Sequence, residues 1–139
     1  MIAEIKAPEL KVLIVDDSPL IVARLEQTLA GIPQVEFSGS AGNLASALLL
    51  IQERVPDVVI LDIHLERDAP NASGITLLAA VRQLFPQITA IMLTNLSEDI
   101  YRNTCMKMGA KYFLDKSNQF EKIHEILVHI INENKTTKA

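Results

Sequence analysis

Four short apolar runs, each closing on a polar residue, constrain this chain more than any other feature. Leu13-Ile14-Val15 leads into Asp16-Asp17, Val58-Val59-Ile60-Leu61 into Asp62, Ile91-Met92-Leu93 into Thr94, and Tyr112-Phe113-Leu114-Asp115 into Lys116. Apolar runs of this length, separated by helix-length segments, are the pattern of a parallel sheet buried on both faces. The strands of such a sheet all point one way, so their C-terminal ends share an edge. Open α/β folds place their ligand sites along that edge. Three carboxylates, a hydroxyl and an ammonium from distant parts of the chain are therefore expected to meet.

The intervening segments carry helix signals. Residues 11–15 form the first expected strand, and Pro19 suits a first helical turn, with Ser18 or Asp17 as its cap. Ile21, Leu25, Thr28 and Leu29 share one face of that helix, and Gly31 stops it. Val35 and Phe37 alternate with Glu36 and Ser38, as in a half-exposed edge strand, and residues 39–43 read as a turn. A second helix from Leu44 carries Leu48, Ile51 and Val55 on its apolar stripe and ends before Pro56. The third strand, 57–61, is the most apolar and is expected at the sheet centre. A polar segment, 66–73, precedes Gly74 and a helix bearing Leu78, Val81 and Phe85. The fourth strand is 88–93, followed by Ser97 as a cap, a helix to Met108, and Gly109 as its stop. A short last strand, 111–114, leads to a helix beginning at Ser117. Its stripe of Phe120, Ile123, Ile126, Leu127, Ile130 and Ile131 is the clearest in the protein, and the tail from Asn134 is expected to fray. Five strands alternating with five helices predict a doubly wound α/β domain. Right-handed crossovers favour the flavodoxin-like three-layer sandwich with strand order 2-1-3-4-5. The reading is one domain over residues 1–139, with a core of about 9–133.

Composition removes other classes. The net charge is −4 and the pI about 5.3, against the clustered Lys and Arg that a nucleic-acid surface needs. No apolar stretch approaches the roughly 18 residues of a membrane span, and the N-terminus lacks the apolar core of a signal peptide. The single cysteine, Cys105, forms no internal disulfide, which fits a reducing cytoplasm. Its helical spacing from Tyr101 and Met108 marks it as a core filler.

At the expected edge, carboxylates from Asp16, Asp17 and Asp62 about 4 Å apart would repel by roughly 4 kcal/mol per pair at an effective dielectric of 20. A hard, oxygen-preferring divalent cation relieves this, and Mg²⁺ is the natural choice. Lys116 adds a fixed positive charge and Thr94 a hydroxyl donor. Together these are the requirements of phosphoryl transfer, with Asp62, on the central strand, as the candidate nucleophile. Taken singly, Asp16, Asp17 and Thr94 read as helix caps and Lys116 as a surface lysine. Their coincidence at four strand ends favours one shared site.

The pieces from Val12 to Ser18, from Pro56 to Asp62, Met92-Leu93-Thr94, and from Gly109 to Lys116 occur in an order and spacing that resemble the receiver domain of two-component response regulators over nearly the whole chain. The resemblance implies that Asp62 accepts phosphate from a phosphohistidine of a sensor histidine kinase or histidine phosphotransfer protein. It implies Asp17 and Asp62 as direct Mg²⁺ ligands, Asp16 acting through water, and the His64 carbonyl as a further ligand. Thr94 and Lys116 would contact the phosphoryl group. Phe113 matches the family's switch aromatic, which turns inward as Thr94 moves toward the phosphate and biases a partner surface on the fourth helix, fifth strand and fifth helix. Plain core packing is the competing reading for Phe113.

Three positions depart from the family's pattern. Its proline and glycine after the phosphoacceptor are replaced by Glu66 and a displaced Gly74, so the loop is about four residues longer than usual. Asn95 stands where a small residue is usual, and Ser117 where proline is common. A pseudo-receiver acting by contact alone is the main rival reading. The chain reads as a stand-alone receiver, with a fragment of a longer regulator as the alternative. A phosphatase of haloacid dehalogenase type would need a second Asp two residues after its nucleophile, where the chain has His64 after Asp62 and Ser18 after Asp16. A nucleotide or flavin site lacks either glycine-rich phosphate motif. His124 and His129, on the last helix, show no evident partners.

Overall fold

The computed structural model describes residues 10–65 and 73–138. Five strands, β1 (Leu10–Val15), β2 (Val35–Ala41), β3 (Val58–Leu61), β4 (Thr89–Thr94) and β5 (Tyr112–Asp115), alternate with five helices, α1 (Pro19–Ala30), α2 (Leu44–Arg54), α3 (Ser73–Leu84), α4 (Asp99–Lys107) and α5 (Lys122–Lys138). All strand pairs are parallel, in the order β2-β1-β3-β4-β5. This is the expected doubly wound arrangement, with β3 at its centre and all four β3 side chains buried.

Strand side chains alternate between the faces of the sheet. Leu13, Val15, Val59, Leu61, Met92 and Phe113 point into a core closed by α2, α3 and α4. Val12, Ile14, Val58, Ile60, Leu93 and Leu114 enter a second core, closed by Leu25 and Leu29 of α1 and by the apolar stripe of α5. The central strand β3 is uniformly apolar because both of its faces are covered. Fully burying each Leu, Ile or Val contributes about 1.5–3 kcal/mol, so the two cores hold the edge rigidly.

Several local expectations are corrected. Residues 39–41 are not a turn but the end of β2. The β1–β2 register slips between Val12 and Leu13, which face Phe37 and Gly39, so Ser38 forms a bulge. Gly39 takes a φ of 130°, a backbone conformation open to glycine, and this broken alternation is what mimics a turn. The bulge buries Ser38 and leaves Phe37 36 % exposed, opposite to the simple alternation. Val55 leaves the α2 stripe and becomes its left-handed cap, with φ 38° and 41 % exposure. Ser97 does not cap α4; the cap position is Glu98, without a side-chain bond.

The last helix starts at Lys122 and not at Ser117, because Asp115 builds a local turn. The Asp115 carboxylate accepts from the Ser117 N–H and from Asn118 Nδ2, while the Gln119 side chain accepts from the Asp115 N–H. The helix continues to Lys138, past the point where fraying was expected. His129 does have a partner, with Nε2 3.1 Å from Glu133 Oε1 on the exposed face of α5. The longer β3–α3 loop, apart from Ser73 at the start of α3, lies outside the described residues.

Candidate functional site

The sheet ladder carries the site residues beyond the strands. Asp16 N–H donates to the Ala41 carbonyl at 3.0 Å, Asp62 N–H to Val15 at 3.0 Å, and Lys116 N–H to Thr94 at 3.0 Å. Each of these backbones is thereby tied to the end of the neighbouring strand at the C-terminal edge. Ser18 then caps α1, its hydroxyl accepting from the Ile21 N–H at 3.3 Å. Asp17 is therefore not needed as the cap and stays exposed.

The Lys116 Nζ lies 2.7 Å from Asp62 Oδ2 and 2.8 Å from Asp16 Oδ2, with all three side chains at least nine-tenths buried. Such charge-assisted bonds are short and strong. The second Asp16 oxygen accepts from the Ser18 N–H at 2.9 Å, and Asp62 Oδ1 accepts a long bond, 3.4 Å, from the His64 N–H. Burial pushes the Asp16 carboxyl above its ordinary range, against the opposing pull of Lys116 and the Ser18 N–H. For Lys116, burial favours the neutral amine. Its bonds to Asp16 and Asp62 outweigh this and hold the ammonium above its ordinary pKa.

One carboxylate oxygen from each of Asp16, Asp17 and Asp62 lies within 4.8 Å of the others. At that separation and an effective dielectric of 20, each pair repels by about 3.5 kcal/mol. Lys116 neutralises one of the three charges and leaves two, on hard oxygen donors, with Asp17 facing solvent. The donor chemistry and the residual charge both suit a divalent cation.

Thr94 ends β4 fully buried, and its Oγ1 accepts from the Leu96 N–H at 3.1 Å. Its own proton remains available to donate. Thr94, Asp62, Asp17 and Lys116 line one cleft of about 610 Å³, together with the exposed His64 and Asn95. Ser117 lines the same cleft. Phe113 is buried on the α4 face of β5. The Arg102 guanidinium of α4 lies 4.9 Å from its ring centroid, and Arg102 Nη1 donates to the Phe113 carbonyl at 3.3 Å.

Two features of the site escape sequence reasoning. Gly74 packs directly beneath the acidic loop: its N–H donates to the Ile63 carbonyl at 2.7 Å, and a Cβ there would stand 1.9 Å from the Asp62 carbonyl oxygen. The displaced glycine thus still meets the backbone of the candidate nucleophile. The second is Arg24 of α1, whose guanidinium stacks 3.9 Å over the Phe120 ring and lines the cleft with Glu121. Phe120 reads as a core residue, and no local pattern joins it to an arginine so distant in the chain.

A parallel α/β sandwich with an acid-rich, lysine-bridged pocket at its carboxyl edge defines a receiver-type phosphorylation domain. The comparisons agree, since residues 12–128 match the family described as "Response regulator receiver domain". The chain belongs to that family. A protein-glutamate methylesterase/protein-glutamine glutaminase of Treponema pallidum is 30 % identical over 118 residues, covering 84 % of this chain and 28 % of that protein. The transcriptional regulatory protein MctR of Rhizobium johnstonii is 28 % identical over 116 residues, covering 84 % and 52 %. This chain therefore spans roughly a quarter to half of the length of these curated relatives. Among solved structures, the signal receiver domain of a response regulator NarL from Mycobacterium tuberculosis aligns with TM-score 0.76 and 25 % identity, covering 89 % of this chain and 97 % of that one. The response regulator domain of Thermotoga maritima CheB aligns with TM-score 0.74 and 26 % identity, covering 89 % and 94 %.

Proposed function

We propose that Asp62 is the phosphoacceptor, taking a phosphoryl group from the phosphohistidine of a sensor histidine kinase or histidine phosphotransfer protein. The observation that carries this reading is the Lys116 ammonium, 2.7 Å from Asp62 in a cleft also lined by Thr94 and Asp17. Receiver-family membership itself implies a histidine kinase as partner. An Asp62 oxygen attacks phosphorus in line with the leaving nitrogen, and the P–N bond breaks as the Asp62 O–P bond forms. Lys116 steadies the charge that grows on the phosphoryl oxygens, and the Thr94 hydroxyl donates to one of them. Mg²⁺, held by Asp17, Asp62 and the His64 carbonyl, with Asp16 acting through water, would supply charge neutralisation at those oxygens.

Phosphorylation replaces the single charge of the Asp62 carboxylate with a phosphoryl group of about −1.5 to −2 and three acceptor oxygens beside Lys116 and Thr94, a net gain of about one negative charge. A Thr94 hydroxyl drawn toward it gives up the Leu96 N–H and alters the packing along β4, against which β5 is paired. Phe113, gripped by Arg102, links that movement to α4, and the surface of α4, β5 and α5 becomes the switch face for a downstream protein. A nucleic acid is not the expected partner of this face, given the net charge of −4. No described helix is long and apolar enough to cross a membrane, and the lone thiol suits a cytoplasmic setting.

The test is incubation with phosphoramidate or acetyl phosphate and Mg²⁺, followed by intact-mass measurement of wild type and Asp62→Asn. A single phosphate adduct on the wild type alone supports a working receiver. No adduct under either donor supports a pseudo-receiver that acts by contact.

A further inference from the structure

The cleft over Asp62 is lined by six ionisable side chains: Asp17, Asp62, Glu121, Arg24, His64 and Lys116. Lys116 is already committed to two carboxylates at 2.7 and 2.8 Å. Arg24 differs. Among the described residues its guanidinium has no ion pair and no hydrogen bond, although it stands exposed at a cleft rich in carboxylates. It is held by Phe120, whose buried ring lies 3.9 Å below it. Stacking of this kind fixes the plane of the guanidinium and leaves its N–H edge free to bind an oxyanion. A cation that is pre-positioned and unpaired in the cleft that holds the phosphoacceptor costs little reorganisation when negative charge develops on a group bound there.

Building on the phosphoacceptor reading above, we infer that Arg24 sets donor specificity by binding the carboxylate that departs when the phosphodonor is an acyl phosphate. With acetyl phosphate, an Asp62 oxygen forms a bond to phosphorus, the bond from phosphorus to the acetyl oxygen breaks, and the electron pair leaves on acetate. Two negative charges on the donor and one on Asp62 become two on the aspartyl phosphate and one on acetate, with no proton moved. The leaving oxygen therefore gains charge as the bond stretches, and Arg24 is the cleft cation that no carboxylate already pairs among the described residues. With phosphoramidate, the same attack expels neutral ammonia from a nitrogen that begins as ammonium. No negative charge builds on the leaving atom, and Arg24 has nothing to stabilise. Phosphohistidine, which departs as imidazole, belongs with phosphoramidate in this respect.

The two donors separate the inference from the reading beneath it. Phosphorylation rates of wild type, Arg24→Gln and Arg24→Lys are measured by intact mass against time, with Mg²⁺ and each donor. Loss of one charge-assisted contact predicts a rate about tenfold lower for Arg24→Gln with acetyl phosphate. The change with phosphoramidate is less than about twofold, and Arg24→Lys falls between wild type and Arg24→Gln with acetyl phosphate. The phosphoramidate rate also verifies that the variant pocket is intact. Equal losses with both donors, or no loss with acetyl phosphate, overturn the role of Arg24 and leave Asp62 as phosphoacceptor. A wild type inert to both donors overturns both.

Discussion

Replacing Gly74 with alanine is expected to damage fold and site together. A Cβ at this position stands 1.9 Å from the Asp62 carbonyl oxygen and 2.7 Å from Ile63 Cα, where real Cβ atoms essentially never come within 3.0 Å. The backbone of α3 or of the acidic loop must therefore give by at least about 1 Å, since every neighbour is main chain and none is a pliable side-chain tip. Overpacking of this kind costs about 1–3 kcal/mol. Separation of the two segments also weakens the bond from the Gly74 N–H to the Ile63 carbonyl, 2.7 Å long, which adds about 1–2 kcal/mol if those groups are left unpaired. A total near 3 kcal/mol is a large share of the 5–15 kcal/mol typical of a domain. It corresponds to a Tm lower by about 10 °C for a chain of this length. Urea denaturation of wild type and Gly74→Ala, followed by circular dichroism, measures the loss. The same displacement moves the Asp62 main chain, so the remaining folded protein should also take up phosphate more slowly. A variant within about 0.5 kcal/mol of wild type would refute the close approach between α3 and the acidic loop.

Other consequences follow from single contacts. Val55 holds φ 38°, a left-handed conformation that costs a β-branched residue about 1–2 kcal/mol, and its side chain is 41 % exposed. Val55→Asn should therefore raise stability by about 0.5–1 kcal/mol in urea denaturation, and a loss would show that Val55 packing matters more than its backbone. Burial pushes the Cys105 thiol above its ordinary pKa and leaves it no solvent exposure, so it should react with a thiol reagent only as the protein unfolds. Rapid labelling of the native protein would contradict that placement. Burial also raises the Asp16 carboxyl, so the folded state binds its proton more tightly than the unfolded chain, and stability falls as pH rises above the ordinary carboxylate value. In chelator, Asp16→Asn should be more stable than wild type near pH 7, with the difference shrinking toward pH 3. Lys116 acts at the other end of the scale. Its raised pKa contributes stability below the ordinary lysine value that is lost as pH climbs beyond the folded one.

The readability of this chain follows the reach of each signal. The strands were legible because burial on both faces demands uninterrupted apolar runs, and the polar residue after each run is where that demand ends. Lys116 bridging Asp16 and Asp62 follows from parallel strands of adjacent register, so the cluster is implied once the strand order is. What escaped depends on contacts that leave no periodic trace. The bulge at Ser38 breaks the alternation that identifies an edge strand. The turn after β5 is set by side chains of Asp115 and Gln119, which override the helix signal at Ser117. Thr94, expected only as phosphate contact or helix cap, holds the Leu96 N–H, while Ser97 does no capping. Arg24 meets Phe120 only because α1 and the turn leading into α5 lie on one face of the sheet.

The most direct measurement is the position of the phosphate itself. Wild-type protein is phosphorylated with Mg²⁺ and phosphoramidate, reduced with borohydride to convert an acyl phosphate to its alcohol, and mapped by peptide mass spectrometry. Homoserine at position 62, and none in a sample treated with chelator before the donor, is the predicted result. Modification at Asp16, Asp17 or another carboxylate, with position 62 unchanged, would contradict the central claim.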